Sequence, residues 1–485
     1  MSTTIPASAP HRVRGALAAP LSPGSYTLVV SGVADRQGNV LDIADISFSF
    51  FVPDTPAPRD VVVTEILYAP PTSSNEFIEL YNRSDKTFDL GALRIADAQR
   101  DFNALAPPLT PLSPGERVVL VRDTATFTRA FPSVDYFAPP GWEALNNGGD
   151  TVRLRHAPSG TEVDAVPYAP SWGGSNGRSL ERIDPHGPSD HPSNFASSRA
   201  AAGATPGARN SRYARDTAPP HPTFAEQTDS TTAEIVFGEP VQPESITPDA
   251  FDLGAISVTE SRLRADSIAR LSLSGSPTTS SVVVTGVRDL VGNQLPRTTL
   301  PFARQPTPGA LVVNEILFDA RSDPFDDRPN QVEYVELFSL ADHPLTLNGL
   351  VLTDRPTERG NADTIRAGRR RVLFPGRFAV VAAAPAGATR AEHSQLIRAF
   401  PEAPLSSDSV AYLPVDANQL GLRNDGDLVR VHRRDKTIVA DVAYVPDWHA
   451  AGLAETKGTA LARISPTADA NAPDNWTSST APAGG

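Results

Sequence analysis

The chain has 485 residues, 40% hydrophobic and 20% charged, with a net charge of −13 and no cysteine. Such totals fit folded globular material and exclude disulfides, thiolate catalysis and Cys-ligated metals. They also make nucleic acid a poor partner, because neutralising phosphates needs a basic surface. The length allows about three or four domains. With 47 Pro and 33 Gly, the composition suits many short strands joined by turns rather than long helices. No apolar run reaches the ~18 residues of a membrane helix, and residues 1–20 lack the apolar centre of a signal peptide.

In chain order, residues 1–20 are rich in Ala, Pro and Arg, without pattern, and read as an unstructured segment. Tyr26, Leu28 and Val30 then alternate, followed by Gly32-Val33, an Asp35–Asn39 turn, and a second strand with Ile46, Phe48 and Phe50. The same order returns at Val282, Val284, Gly286-Val287 and Asp289–Asn293. There it is preceded by further strand-like sequence, including Ala233–Phe237 and the alternating Ala269, Leu271 and Leu273. Residues 21–57 therefore read as the last third of a domain plus a Pro-rich linker, which leaves an apolar face uncovered.

A mostly apolar strand, Val61–Tyr68, follows, then Glu76–Asn82 and Leu90–Asp97. A Ser113-Pro114-Gly115-Glu116 turn leads into Val118–Val121, and Thr124–Phe131 is predicted as a short helix stopped by Pro132. Next comes Asn146-Asn147-Gly148-Gly149-Asp150, with alternating strands on either side of a polar turn at Gly160. This unit closes at Thr205-Pro206-Gly207. A second copy keeps the order, with Val312–Phe318, Val332–Phe338, Asn424-Asp425-Gly426-Asp427 and the strand beginning at Ile438. Arg398–Pro401 repeats Arg129–Pro132, and Tyr444-x-Pro446-x-Trp448 repeats Tyr168-x-Pro170-x-Trp172. Gly485 falls short of a Thr-Pro-Gly closure, so both ends of the chain read as cut.

The motifs Thr-Glu-Ile-Leu, Glu-Phe-Ile-Glu-Leu-Tyr-Asn, Asn-Asn-Gly-Gly-Asp-Thr-Val-Arg-Leu, Gly-Arg-Ser-Leu-Glu-Arg and Thr-Pro-Gly-Ala-Arg-Asn resemble a bacterial lamin-tail domain. The stretch around Val236-Phe237-x-Glu239-Pro240-Val241 and Val284-x-Gly286-Val287 resembles the bacterial Ig-like domain of surface-layer proteins. The resemblance implies an all-β chain of tandem Ig-like β-sandwiches with very little helix. The expected division is an N-terminal segment at 1–20, a partial Ig-like unit at 21–57, lamin-tail domains at 58–210 and 305–485, and an Ig-like domain at 211–304. It brings no catalytic centre, and both modules look like accessory parts of exported or surface proteins.

Each candidate for chemistry has a plainer reading. Glu79 shares a strand face with Phe77 and Tyr81, as Glu336 does with Tyr334 and Phe338, while Glu76 sits with Ile78 and Leu80. A carboxylate tuned by aromatics is one reading, and a Glu held by Arg or backbone donors is the favoured one. The Asp323, Asp326 and Asp327 loop could take a hard cation, but without regular ligand spacing. Asp35/Asn39, Asp289/Asn293, Asp150 and Asp427 sit where local turn chemistry already explains Asp, Asn and Gly. Asp184, His186, Ser189, Asp190 and His191 crowd one Pro/Gly loop, which is no scaffold for a triad. Gly173–Gly177 reads as a flexible loop without a phosphate lysine, and Arg366 with Arg369–Arg371 as a solvated basic cluster. Trp142, Trp172, Trp448 and Trp476 lie at turns, where they could stack on a ligand but are expected to seal loops onto the sandwich.

The expectation is therefore a chain with no catalytic, cofactor-binding or metal-ligating residues, acting as a spacer and interaction segment of an exported or cell-surface bacterial protein. Its partner would be an unidentified extracellular protein or glycan, with calcium a further candidate. Two alternatives stay open. One is an accessory region of a secreted, nuclease-like hydrolase whose catalytic domain lies outside this chain, and the other is a calcium-stiffened rod.

Overall fold

Alternation becomes hairpins in the folded chain. Along Asp150–His156, Val152 and Leu154 are buried, while Thr151, Arg153 and Arg155 are only partly so. The strand pairs antiparallel with Glu162–Tyr168, which buries Val163 and Val166 against the same core. Each fully buried aliphatic side chain of this kind contributes about 1.5–3 kcal/mol. The computed structural model describes all residues except 1, 7, 9, 10, 72–74, 97–100, 143, 323–329, 356–363, 367–370, 385–395, 397, 398, 401–409, 417–419, 454 and 481–485. The described chain is almost entirely strands and turns, and it divides into two compact units, residues 1–217 and 218–485.

In the first unit a six-stranded sheet runs in the order Tyr136–Phe137, Arg117–Val121, Phe77–Asn82, Val61–Leu67, Leu180–Arg182, Phe195–Ser197. A four-stranded sheet, in the order Glu162–Tyr168, Asp150–His156, Leu93–Ala96, Asp101–Ala104, faces it. Val61, Val63, Ile66, Ile78 and Leu80 from one sheet meet Ile95, Val152, Leu154 and Val166 from the other. The second unit contains the same sandwich. Its larger sheet runs Val410–Asp416, Phe378–Ala384, Tyr334–Ser339, Leu311–Leu317, Leu461–Arg463, Trp476–Ser478. Its smaller sheet runs Thr364–Arg366, Val351–Thr353, Asp427–His432, Ile438–Tyr444. The predicted helix is present over Thr124–Ala130, capped by the Asp123 carboxylate, which accepts from Thr126 N at 2.7 Å.

The second unit begins with a complete two-sheet Ig-like module. A four-stranded sheet of Pro222–Asp229, Thr232–Phe237, Ile268–Leu273 and Val258–Ala265 packs on a three-stranded one of Phe251–Asp252, Ser281–Val284 and Thr298–Pro301. Its end is fastened to the sandwich that follows. Arg304 N donates to Pro344 O at 2.9 Å, and Thr346 N donates to Arg304 O at 2.8 Å. Beside this bridge the fully buried Glu226 accepts from Thr346 Oγ1 at 2.5 Å and Asn348 Nδ2 at 2.8 Å. In the first unit Asp54 N likewise donates to Thr87 O at 2.9 Å, so the backbone fastening recurs.

The N-terminal hairpin pairs Gly24–Ser31 with Ile43–Phe50. Val282 and Val287 are fully buried in the complete module, whereas their counterparts Leu28 and Val33 are 36% and 45% exposed. The expectation of an unstructured start needs correction, because Ser2–Thr4 pairs with Arg14–Ala16 as a short antiparallel ladder. Backbone pairing there does not depend on the apolar alternation that the sequence lacks. Among the described residues no helix is long and apolar enough to cross a membrane.

Candidate functional site

A cluster of buried carboxyls lies in the first unit, on the outer face of the six-stranded sheet. Glu79, Glu65 and Glu181 stand abreast on three neighbouring strands, since Glu65 pairs with Glu79 on one side and Glu181 on the other. All three are fully buried. A β-bulge creates this alignment. Val63 pairs with Leu80 and Glu65 with Glu79, which leaves Thr64 as the extra residue. Such a bulge re-aims side chains. The Thr64 hydroxyl then donates to Glu79 Oε1 at 2.7 Å.

Burial pushes Glu65 up to about 7, and burial together with the neighbouring Glu65 charge pushes Glu79 up to about 8. Carboxyls in that range could move protons. Here their oxygens are occupied by the segment that closes the unit. Thr205 N donates to Glu65 Oε1 at 2.7 Å and Gly207 N to Glu79 Oε2 at 2.8 Å. Arg212 N reaches Glu181 Oε2 at 2.7 Å, while Ser211 Oγ and Thr205 Oγ1 also donate to Glu181. From below, Ser179 Oγ donates to Glu65 Oε1 at 2.5 Å. As arranged, the ladder is a latch that holds the Thr-Pro-Gly closure onto the sheet.

Glu76, at the head of the same strand, grips the opening of the Asn146–Asp150 turn. It accepts from Leu145 N at 3.2 Å and Trp142 Nε1 at 3.1 Å, and pairs with Arg122 at 3.2 Å. Burial raises its carboxyl. Glu333 does the same in the second copy, accepting from Gly421 N at 2.9 Å. In each copy a buried tyrosine closes the turn, with Tyr168 donating to Asn146 O and Tyr444 to Arg423 O. Asp150 accepts from Asn146 Nδ2, and Asp427 from Leu428 N and Arg355 N. The paired Gly-Asp turns are thus held both by hydrogen bonds within the turn and by donors from other segments.

Other candidates take part in hydrogen bonds and packing. Asp35 accepts from Gln37 N, Asn39 N and Asn39 Nδ2, and Asp289 accepts from Val291 N, Gly292 N, Asn293 N and Asn293 Nδ2. The crowded histidine loop does not assemble a triad. Ser189 Oγ donates to Asp164, not to a histidine, and His191 Nδ1 meets Ser193 Oγ at 2.7 Å. Asp184 accepts from His186 N. Gly173–Gly177 is packed rather than flexible. A Cβ on Gly173 would lie 2.6 Å from Ser197 N, and one on Gly174 2.7 Å from the Tyr68 ring. Trp172 leans on Phe195 with ring centroids 5.4 Å apart, and Trp448 stacks on Trp476 at 5.9 Å. The Asp323, Asp326 and Asp327 loop and Arg369–Arg370 lie outside the described residues.

Sequence reasoning missed Glu65 and Glu181, although both stand in motifs quoted above. It also missed the fully buried pair of Arg182 and Asp164, joined at 3.0 Å. The signal for that pair is an Arg in Leu-Glu-Arg and an Asp in an otherwise apolar strand.

Residues 54–170 match the model of the lamin tail domain family. That stretch is a lamin tail domain. It carries the glutamate pair Glu65/Glu79, and the sandwich at 308–480 repeats its strand order, bulge and turn. No curated protein matches the chain. Solved structures similar to it include the N-terminal part of the bacterial S-layer protein SbsC, at 13% identity and TM-score 0.18 over 47% of this chain and 43% of that one. A DUF4876 family protein from Bacteroides thetaiotaomicron matches at 13% identity and TM-score 0.21, over 36% of this chain and 80% of that one. The chain spans less than half of the S-layer structure it matches.

Proposed function

We propose that this chain is a non-catalytic spacer and interaction segment of an exported or cell-surface bacterial protein. The observation that carries the reading is the fastening of one sandwich to the next. In the second unit the Arg304 bridge and the buried Glu226 clamp couple the Ig-like module to the lamin-tail sandwich without a free linker. A joint of this kind transmits orientation and keeps binding loops at a fixed distance. The lamin-tail ladder supports the same reading, since its raised carboxyls are occupied by donors from their own chain.

Hydrogen exchange on the full chain tests the spacer. The amides of Arg304 and Thr346 are expected to exchange as slowly as those of the core strands Ser281–Val284 and Leu311–Leu317. Fast exchange at both would mean that the modules swing freely, and the spacer reading would fail. In parallel, the purified chain is offered nucleic acid, glycan and peptide substrates. Turnover that co-purifies with the folded chain would overturn the non-catalytic reading.

A further inference from the structure

The lamin-tail sandwich of the second unit differs from the first at its main hairpin turn. Where the first copy turns through His156-Ala157-Pro158, the second carries Arg433-Arg434-Asp435. The fold makes this turn without arginines, so their presence calls for another cause. Both guanidiniums line a cavity of about 460 Å³, and Arg264 and Arg270 from the Ig-like module line it as well. Its lining holds four arginines against Asp229 and Glu234, in a chain whose net charge is −13.

The four guanidiniums are not equally engaged. Arg433 is bound to Asp435 through Nη2 at 2.6 Å and Nε at 3.2 Å, and Arg264 Nη1 sits 3.0 Å from the buried Glu234. Arg270 reaches Glu234 only at 4.0 Å and keeps a 40% exposed side chain. Among the described residues Arg434 has no carboxylate partner. It lies over the backbone of Gly349, where a Cβ would come within 2.6 Å of its Nε. Gly349 has a φ of 80°, so glycine there suits both the turn and the approach. Two guanidiniums with spare donors thus face one space. The amides of Gln305 and Asn348 also line it. Each directs an N–H of its NH₂ into the protein, onto Thr228 O and Glu226 respectively, which leaves its carbonyl oxygen as an acceptor.

We propose that this cavity binds an acidic saccharide, with a sugar carboxylate on Arg270 and Arg434 and sugar hydroxyls donating to the Gln305 and Asn348 side-chain oxygens. Planar guanidiniums match a carboxylate through paired N–H donors. Acceptor amides beside them match a ligand rich in hydroxyls better than an acidic peptide, whose carboxylate side chains bring no donors to meet them. The site goes beyond the spacer reading and stands or falls separately from it.

Titration calorimetry of the full chain with trigalacturonate, neutral maltotriose and inorganic phosphate tests the proposal. Trigalacturonate is expected to bind, with maltotriose at least about tenfold weaker because the charged hydrogen bonds are missing. Arg270→Gln and Arg434→Gln are each expected to weaken binding about tenfold, while Arg153→Gln, outside the cavity, changes nothing. Wild-type affinity in the double variant, equal binding of maltotriose, or binding of phosphate alone would overturn the assignment. A readout without substitutions covers the case of misfolded variants. Phenylglyoxal labelling of Arg270 and Arg434, mapped by mass spectrometry, is expected to slow with trigalacturonate and not with maltotriose. Equal labelling in both would also overturn it.

Discussion

The lamin-tail sandwich and its repeat in the second unit solve one packing problem with different amounts of buried charge. Both place a bulge after the third residue of the central strand, at Thr64 and at Asn314, and both align a glutamate pair across it. The bulge side chain donates to the outer glutamate in each, Thr64 to Glu79 at 2.7 Å and Asn314 to Glu336 at 2.8 Å. Beyond this point they part. The first copy adds Glu181 to the ladder, where the second has Ala462. It also buries Arg182 completely against Asp164, while the second copy has Ala440 at that register and leaves Arg463 partly exposed on backbone carbonyls. The carbonyl contact is shared, with Arg182 Nε donating to Val63 O and Arg463 Nη1 to Val313 O. The glutamate pair and the arginine are thus common to both copies, and of the extra charges Glu181 serves the closing segment while Asp164 holds Arg182 and Val63 N.

The largest expected effect breaks this comparison at its most buried point. Asp164→Ala leaves Arg182 without its counter-charge and removes the acceptor of Val63 N at 2.8 Å. Breaking a buried pair from one side costs about 3–5 kcal/mol. Arg463→Met, in the second copy, is expected to cost less, about 1–3 kcal/mol, for the donors that three backbone carbonyls lose. Urea unfolding followed by hydrogen exchange, resolved between residues 58–210 and 305–485, reads both. Equal losses would show that the buried pair adds nothing to the shared design.

A pH effect comes next. Glu65 and Glu79 have folded values of about 7 and about 8, above the ordinary 4.5. The folded state therefore holds protons that the unfolded chain has already released. That contribution is complete below the unfolded value and is lost as pH rises through the folded values. The first copy is therefore expected to lose stability steadily between about pH 5 and about pH 8.5. Glu315, pushed up to about 7 by burial and by Glu336, gives the second copy the same sign. Glu79→Gln should flatten the first copy's profile, and an unchanged slope in that variant would locate the titration elsewhere.

Much of this architecture was legible in the residues. Period-two alternation marks the strands around Val152/Leu154 and Val429/Val431, and the repetition of Tyr-x-Pro-x-Trp marks two copies of one fold. The ladder was only half visible. Alternation places Glu79 beside Phe77 and Tyr81, but Glu65 reaches the same face through a bulge, and a bulge breaks the period that such reasoning relies on. Glu181 lies 102 positions beyond Glu79 (181 − 79), and only strand order brings it alongside. The packed Gly173–Gly177 loop was misread for a related reason. Glycine marks both flexible chain and close backbone approach, and Ser197 decides between them from a distant strand.

A smaller change would make the first ladder resemble the second. Glu181→Ala imitates Ala462 and strips an acceptor from Thr205 Oγ1, Ser211 Oγ and Arg212 N. A loss of about 1–3 kcal/mol is expected from the unmet donors. Faster exchange should be confined to residues 203–212, because the Glu181 carboxylate accepts its hydrogen bonds from Thr205, Ser211 and Arg212. Loosening of the whole sandwich would mean that the ladder supports the sheet itself rather than its closure.

The smallest expected effect concerns a pair that both copies keep on the outside of the main hairpin. Arg153 meets Glu162 at 2.5 Å and Arg430 meets Asp441 at 3.1 Å, with all four side chains between 31% and 45% exposed. Solvated pairs of this kind contribute about 0.2–1 kcal/mol and are screened by salt. Arg153→Ala and Arg430→Ala should therefore each shift stability by about 0.5 kcal/mol or less, with the difference vanishing at high salt. The measurement is a pair of melting curves per variant, at low and high ionic strength. A loss above about 1 kcal/mol in either copy would show that charge stabilises the hairpin itself. The contrast drawn between the copies would then have to extend from the buried ladder to the solvent face.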